Sequence, residues 1–189
     1  MEKKQTISTR RLVLAALLAA LTVVGSALRI TLPLEIAGTT SFHLGNILCA
    51  LCGILLGPWL GGFAAGLGSA IYDMFNPLYI SECWITFLMK FAYGLAAGLV
   101  IRIGKPDFGY VKALVATVAG AVTYAIVYLA KSYFYSGLLV HGLEPAAALA
   151  TVIGKLPATC FNAVVAIVIT PVLAIAIRKA LRKQNLGTE

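Results

Sequence analysis

Long apolar runs separated by short breaks dominate this sequence from Leu12 to Ile177. A helix needs roughly 20 mostly apolar residues to cross about 30 Å of hydrocarbon, and these runs approach that length. The 189-residue chain is 60% hydrophobic and 12% charged, with a mean hydropathy of +0.93. These values exclude a water-soluble globular protein and leave no room for a separate catalytic or nucleotide-binding domain.

Breaks at glycine, proline and charged residues divide the apolar sequence into six predicted transmembrane helices. The predicted spans are residues 11–28, 44–56, 59–74, 82–103, 111–135 and 156–177. Residues 29–43 are predicted to form an outer loop, and residues 145–153 a short surface or re-entrant helix before Pro157. Glycines spaced four apart in spans two to four indicate close helix packing. We expect one all-α integral membrane domain over residues 1–189, a compact bundle of six helices.

The first apolar run has a second interpretation. Basic residues followed by residues 12–28 also resemble a secretory signal, with Gly25-Ser26-Ala27 as a cleavage site. A cleaved signal is normally followed by a polar mature domain, whereas further apolar spans follow here. We therefore interpret this run as the first transmembrane helix.

Basic residues cluster at the ends of the apolar runs. The formal net charge is +8, and eleven of the fifteen Lys and Arg residues fall into three groups: Lys3, Lys4, Arg10 and Arg11; Arg102, Lys105 and Lys112; Arg178, Lys179, Arg182 and Lys183. With six spans and a cytoplasmic N-terminus, all three groups lie inside, as the positive-inside rule requires. The charge thus predicts a multi-pass membrane protein with both termini cytoplasmic, and no nucleic-acid partner.

Motifs for catalysis and metal binding are absent from the sequence. No phosphate-binding G-x-x-x-x-G-K-[ST] loop occurs, and the two histidines, His43 and His141, lie in predicted loops. Cys49 and Cys52 form a C-x-x-C pair without a second pair or a nearby histidine at ligand spacing. We expect neither an enzyme, nor a metal site, nor a cofactor.

Ionisable and amide side chains mark a candidate site near the outer ends of several spans. These residues are Asp73, Glu82, Lys90, Lys131, Lys155 and Asn162. An ionisable group at hydrocarbon depth costs several kcal/mol unless it is paired or lies in a wet cavity. They therefore indicate a ligand or ion site. The alternative is that Asp73 or Glu82 pairs with Lys90 only to orient the helices.

Aromatic side chains lie close to these charges in the sequence. Trp84 and Tyr128 favour a pocket, whereas Tyr79, Tyr133 and Tyr135 fit a pocket and an interfacial aromatic belt equally well. Rings with polar tips beside convergent charges suit a flat small molecule rich in heteroatoms.

Several short motifs, in order and spacing, resemble one family. They are Ala15-xxx-Ala19 and Ala16-xxx-Ala20 in the first helix, Phe42-His43-Leu44-Gly45-Asn46, Gly53 to Pro58 followed by Gly61-Gly62, and Lys155-Leu156-Pro157 followed by Asn162 and Pro171. The chain resembles the substrate-binding S components of energy-coupling factor (ECF) transporters from Arg10 to about Arg178.

The resemblance implies a subunit embedded in the bacterial cell membrane that captures a vitamin or vitamin precursor with high affinity, here riboflavin or another B-vitamin heterocycle. It implies an outward-facing cavity covered by the loop after the first helix. It also implies partners, a transmembrane coupling subunit and two ATPases, with the coupling subunit contacting Ala15, Ala16, Ala19 and Ala20.

Two other functions fit the same sequence. A stand-alone proton-coupled secondary transporter would use Asp73 or Glu82 as proton carrier, but such proteins often contain internal repeats, and we find no convincing repeat. A structural membrane protein without a ligand would leave the outer ionisable cluster unexplained.

Overall fold

The computed structural model describes residues 8–33, 39–104 and 109–183. Within them lie six α-helices: α1 Thr9–Ala27, α2 Gly45–Leu56, α3 Pro58–Met74, α4 Cys83–Arg102, α5 Tyr110–Ala130 and α6 Pro145–Lys183. A 3₁₀ turn, Ile80–Glu82, precedes α4, and a π-helical segment, Lys131–Val140, continues α5. Between α1 and α2, strands β1 (Arg29–Pro33) and β2 (Thr39–His43) form an antiparallel hairpin.

Four helical segments in the described part of the chain are long and apolar enough to cross a membrane: Thr9–Ala27, Ile80–Arg102, Tyr110–Val140 and Pro145–Lys183. The helix α3 has 17 residues and α2 only 12, so α2 is only about 18 Å long. Every residue of α2 except Leu48 is buried. Although α2 is too short to cross the hydrocarbon core, it fits within the bundle because the other helices surround it.

Glycines bring the backbones of α2, α3 and α4 into direct contact. A methyl group at Gly53 would overlap the carbonyl oxygen of Gly94, and one at Gly66 would overlap the carbonyl oxygen of Phe87. Apolar burial drives helix association weakly in lipid, so this close approach supplies dispersion contacts instead. The close packing predicted from the glycine spacing is confirmed.

The last helix differs from the prediction. Residues 145–153 do not form a separate short helix; α6 runs unbroken for 39 residues with Pro157 and Pro171 inside it. Each proline removes one backbone hydrogen bond, whereas ending the helix within hydrocarbon would leave several unpaired groups. At about 58 Å, α6 exceeds the thickness of the hydrocarbon core.

The predicted outer loop also differs from the prediction, because residues 29–33 and 39–43 pair as strands with Arg29 opposite His43 and Pro33 opposite Thr39. The fold is therefore not all-α, although helices dominate it. Hydroxyl residues in β2 obscured the apolar alternation that would predict a strand. Residues 34–38 lie outside the described residues.

The three described basic regions lie at one end of the bundle. Arg11 Nη2 donates a hydrogen bond to the carbonyl oxygen of Leu56 at 2.7 Å, and the Arg102 side chain packs on Gly57 in the α2–α3 turn, where φ is +85°. These contacts place the start of α1 and the end of α4 beside the end of α2.

The direction of α6 follows from two hydrogen bonds. The backbone N–H of His43, just before α2, donates a hydrogen bond to Asn162 Oδ1. Further along both helices, Thr170 Oγ1 donates to the carbonyl oxygen of Ile47. The helices α2 and α6 are therefore parallel, and the basic last turn of α6, with Arg182 and Lys183, lies at the same end as Leu56. The hairpin lies at the opposite end.

Candidate functional site

A cavity of about 400 Å³ lies at the hairpin end of the bundle. Its wall combines β2 and the residues that end α1 and α3, begin α4, end α5 and occupy the first half of α6. This volume is within the range of small-molecule sites, roughly 300–1,000 Å³.

The structure brings seven of the eight predicted binding residues to the cavity wall. They are Asp73, Glu82, Lys90, Tyr128, Lys131, Lys155 and Asn162. Residues far apart in the sequence thus share one chamber.

Trp84 does not line this cavity, so its predicted place there is wrong. Its side chain is 55% exposed and meets Tyr135 edge-on, with ring centroids 6.1 Å apart. Trp84 precedes Lys90 by six residues on the same helix, a rotation of about 120° away from the inward-facing lysine. Trp84 was assigned to the pocket because it lies close in sequence to the charged residues, and this closeness does not determine the face of the helix.

Lys90 is the deepest cation of the site, with 4% of its surface exposed. Its ammonium group donates a hydrogen bond to Asn46 Oδ1 and lies 3.8 Å from the centroid of the Tyr124 ring. Tyr124 stacks between Tyr93 and Tyr128, with centroid separations of 5.8 and 5.6 Å. Lys90 therefore meets an amide and an aromatic face, a cation–π arrangement, rather than a carboxylate.

The two carboxylates of the site contact other cations. Asp73 Oδ1 lies 4.0 Å from Arg29 Nη2, and Glu82 forms a salt bridge with Lys131. The alternative in which Asp73 or Glu82 pairs with Lys90 is therefore not what the structure shows.

Arg29 is held between aromatic rings where α1 passes into β1. Its guanidinium carbon lies 4.3 Å from the centroid of Tyr72 and 4.8 Å from that of Tyr79, and Nε donates to the Ser26 carbonyl oxygen at 2.8 Å. The two ring contacts restrain the guanidinium, and Asp73 is its carboxylate neighbour.

The π-helical segment explains how two residues of one helix reach Glu82. Lys131 Nζ and Ser136 Oγ both donate to this carboxylate, Ser136 at 3.5 Å. In a π-helix, residues five apart are successive along one face, whereas in an α-helix they would be rotated by about 140°. The wider turn thus directs Lys131 and Ser136 to one partner.

Lys155 lies across the cavity on α6 and is 5% exposed. Its ammonium group donates to Ser132 Oγ at 3.2 Å and lies 5.7 Å from the Tyr128 ring centroid. Lys155 thus contacts neutral groups.

Side chains from two directions fasten the hairpin over the cavity. Tyr79 places its hydroxyl 3.2 Å from Thr39 Oγ1 and 3.1 Å from Ser41 Oγ. On the other side, Asn162 Nδ2 donates to the Ser41 carbonyl oxygen at 2.7 Å, and Asn162 Oδ1 accepts from the His43 backbone N–H at 3.0 Å.

His43 ends β2 and turns the chain into α2. Its Nδ1 accepts a hydrogen bond from the Gly45 backbone N–H at 3.2 Å. Burial, together with the positive charges of Lys90 and Arg29, places the pKa of His43 well below its ordinary value of 6.5. The imidazole is therefore neutral at pH 7.

Sequence reasoning missed several residues of the site: Arg29, Ser41, Tyr124 and Ser136 line the cavity, and Asn46 accepts a hydrogen bond from Lys90. Arg29 and Tyr124 belong to the same classes, charged and aromatic, that identified the other residues. Asn46 lies inside a recognised motif, and a polar residue in an otherwise apolar helix was a usable signal. The hydroxyls of Ser41 and Ser136 carried none.

The four alanines assigned to a coupling-subunit contact divide into two pairs. Ala16 and Ala20 lie on the exposed face of α1. Ala15 and Ala19 are 8% exposed and pack inside the bundle, where a side chain at Gly68 would overlap the Ala19 carbonyl oxygen. Placing Ala15 and Ala19 on a partner surface is therefore wrong: the spacing of four is shared by two faces of the same helix.

Metal ligands do not gather in the described residues, which hold no group of three or more His, Cys, Asp or Glu side chains suited to an ion. The free cysteines Cys49 and Cys52 are buried and contact Ser69 and Thr22. They pack as small side chains in the helix core.

Comparison with known proteins finds matches of three kinds. A family model described as "ECF-type riboflavin transporter, S component" matches residues 6–179. An "uncharacterized protein in gap 3′region" of Pyrococcus woesei is 31% identical over 118 residues, covering 62% of this chain and 74% of that protein.

The third match is a solved structure, the S-component for biotin from an ECF-type ABC transporter. It aligns with a TM-score of 0.62 at 16% identity and covers 89% of this chain and 94% of that one. At this identity the likeness shows the fold alone.

The family model covers nearly the whole sequence, and the biotin S-component has the same fold. The resemblance inferred from the alanine, glycine and proline motifs is thereby confirmed. Members of the family are components of membrane transporters and not enzymes. The chain belongs to the family of ECF-type riboflavin transporter S components.

Proposed function

We propose that this chain is the high-affinity substrate-binding subunit for uptake of a vitamin or vitamin precursor, riboflavin-like or another B-vitamin heterocycle. The observation that carries the proposal is the hairpin-covered cavity, which gathers aromatic rings and charged groups from four α-helices and the segments that connect them. Such a chamber suits a flat, polar small molecule, since rings supply stacking area and charges supply orientation. Asp73, Glu82, Lys90, Tyr128, Lys131, Lys155 and Asn162 form the proposed binding set.

Energy for transport comes from a separate module in this proposal. The sequence holds no phosphate-binding loop, so a transmembrane coupling subunit and two ATPase subunits would drive release of the substrate into the cell. The basic end of the bundle faces the cytoplasm with both termini, following the positive-inside rule, and the hairpin faces outward. The membrane is the bacterial cell membrane.

The hairpin acts as the lid in this proposal. Its hydrogen bonds to Tyr79 and Asn162 define the closed state. Closure excludes water and strengthens the polar contacts with the substrate. Substrate entry requires these bonds to open.

Binding by the isolated chain tests the proposal. The full chain, purified in detergent, is heated to release any co-purified molecule for mass spectrometry, and riboflavin and the identified molecule are titrated back by calorimetry. We expect submicromolar affinity without ions or ATP. Tyr128→Ala is expected to weaken binding at least about tenfold, or about 1.4 kcal/mol. Trp84→Ala, which changes a ring outside the cavity, serves as the matched control.

Uptake into liposomes separates this function from proton-coupled transport. The isolated chain is expected to bind substrate but not accumulate it under a proton gradient. Accumulation that is abolished by Asp73→Asn or Glu82→Gln would contradict the proposal and establish a secondary transporter.

A further inference from the structure

The cavity wall carries more positive than negative charge. Four cations, Arg29, Lys90, Lys131 and Lys155, face it together with two carboxylates, Asp73 and Glu82. These six side chains together carry an excess of two positive charges. Charged groups of this kind are expensive in a low-dielectric interior unless opposite charge is near.

The excess is located on two lysines. Among the described residues, the salt bridges of the site join Arg29 to Asp73 and Lys131 to Glu82. Lys90 contacts the amide of Asn46 and the ring of Tyr124, and Lys155 contacts the hydroxyl of Ser132. Neutral oxygens satisfy hydrogen bonds but do not neutralise charge.

The two lysines flank one aromatic pair. Tyr124 and Tyr128 stack with an interplanar angle of 15°. Lys90 lies 3.8 Å from the centroid of Tyr124, and Lys155 lies 5.7 Å from that of Tyr128. A ring-bearing guest beside these tyrosines would thus have an ammonium group near each end of the pair.

We propose that the natural guest is an organic carboxylate, a ring-bearing molecule whose acid group is attracted by both Lys90 and Lys155. This inference rests on the proposed function and specifies its substrate class. A neutral flavin would add no negative charge to offset the excess of two on the wall after lid closure. An anion gains their Coulomb attraction in a dry chamber, where it is stronger than in water.

The donor set favours carboxylate over phosphate. Phosphate sites in proteins typically combine lysine with glycine-rich backbone N–H groups or arginine forks. The described cavity wall contains no glycine, and its one arginine, Arg29, is stacked between two tyrosines beside Asp73. Two ammonium groups match one or two carboxylates in charge.

Matched pairs of compounds test the charge of the guest. The full chain in detergent is titrated with biotin and biotin amide, nicotinate and nicotinamide, and riboflavin. Each pair keeps the scaffold and removes the acid. We expect one carboxylate to bind at least about 30-fold more tightly than its neutral partner. The molecule released from the purified protein is expected to migrate as an anion at pH 7.

Lysine variants assign the effect to the site. Lys90→Met and Lys155→Met are each expected to weaken binding of the carboxylate at least about tenfold and to change binding of its neutral partner less than about threefold. Lys179→Met removes an equal charge from the exposed last turns of α6 and is expected to leave both affinities unchanged. The melting temperatures of all variants are measured. If Lys90→Met does not fold, Lys155→Met alone tests the inference.

Two results would overturn the inference. A neutral released molecule, or riboflavin binding that both lysine variants leave within about threefold of the parent, would reject the carboxylate while retaining the vitamin-binding function. Absence of any released molecule, together with no binding of any compound at 100-fold excess over protein, would reject both proposals.

Discussion

The side-chain carbonyl of Asn162 accepts a hydrogen bond from the backbone N–H of His43 at 3.0 Å. The amide nitrogen of the same residue donates to the carbonyl oxygen of Ser41 at 2.7 Å. One asparagine on α6 thus continues the hydrogen-bond ladder of β2 as a neighbouring strand would. This arrangement couples the position of the hairpin to that of α6.

Replacing Asn162 by aspartate is expected to loosen the hairpin. Aspartate still accepts from His43 but places a second acceptor against the Ser41 carbonyl oxygen, and an unsatisfied buried polar group costs roughly 1–3 kcal/mol. We expect amide exchange of residues 40–43 to accelerate and dissociation of bound substrate to become at least about fivefold faster. Hydrogen-exchange mass spectrometry and stopped-flow fluorescence measure the two effects.

Asn162→Gln, which retains both hydrogen-bonding groups on a longer side chain, is the control and is expected to fall between the parent and Asn162→Asp. Equal exchange rates in the parent and in Asn162→Asp would show that Tyr79 alone holds the hairpin.

Acid is expected to open the hairpin through His43. Burial beside Lys90 and Arg29 lowers the pKa of His43 in the closed state, whereas the imidazole of an opened hairpin titrates near 6.5. The open state therefore binds the proton more readily, so closure has full stability above pH 6.5 and loses up to about 1.4 kcal/mol per unit as pH falls below it. Hydrogen exchange of β2 between pH 7.5 and 5.5, corrected for intrinsic rates, measures this loss.

His43→Gln is expected to flatten this pH dependence, since glutamine does not titrate. His141→Gln serves as the comparison, because His141 lies outside the hairpin on an exposed turn. If His43→Gln retained the slope of the parent, another group would be responsible.

The bundle was largely predictable because hydrophobicity and glycine spacing are properties of single segments. The positions of α1 to α5 follow from apolar runs and their breaks, to within a few residues. The predictions that failed concern features that depend on the surroundings of a segment. Pro157 did not separate residues 145–153 from the last span, because membrane burial makes a continuous helix less costly than a broken one. The hairpin was not predicted, because each strand is stabilised by pairing with the other and neither segment reveals that pairing alone.

The site was predictable by residue class but not by direction. Charged and amide residues in apolar spans face inward because lipid excludes them, and this rule placed Asp73, Lys90 and Asn162 correctly at the cavity. Aromatic residues tolerate both lipid interface and interior, so the same reasoning failed for Trp84. The π-helical segment that directs Ser136 to Glu82 was not predicted, because it depends on local backbone geometry.

Glycine-mediated packing between α2 and α4 is expected to tolerate no side chain. Gly53→Ala would place a methyl group on the carbonyl oxygen of Gly94, a backbone atom that cannot move alone. Overpacking of this kind costs roughly 1–3 kcal/mol. We expect a lower melting temperature in detergent. Gly109→Ala, whose side chain would meet no atom within 4 Å, is the control, and equal melting of the two variants would refute the packing argument.

The Glu82–Lys131 salt bridge is expected to show energetic coupling. Both side chains are partly buried, with side-chain exposures of 30% and 11%, so removal of one partner leaves a poorly solvated charge. We expect the double variant to be destabilised less than the sum of the losses in Glu82→Gln and Lys131→Met. The difference, the coupling energy, is expected to be roughly 0.5–3 kcal/mol. Thermal unfolding of the four proteins in the cycle measures it; additive effects would mean that the pair contributes only orientation.

The exposed face of α1 is expected to affect uptake without affecting binding. Ala16 points away from the bundle, so Ala16→Trp is accommodated by the isolated chain but fills the shallow groove beside Ala20 where the proposed coupling subunit would pack. Substrate affinity in detergent is expected to stay within about twofold of the parent, while uptake by cells carrying the ECF module falls at least about tenfold. Ala15→Trp is the matched contrast: because Ala15 is buried, it should lower the melting temperature itself. Parallel loss of affinity and uptake in Ala16→Trp would show that this face of α1 serves the fold rather than the partner.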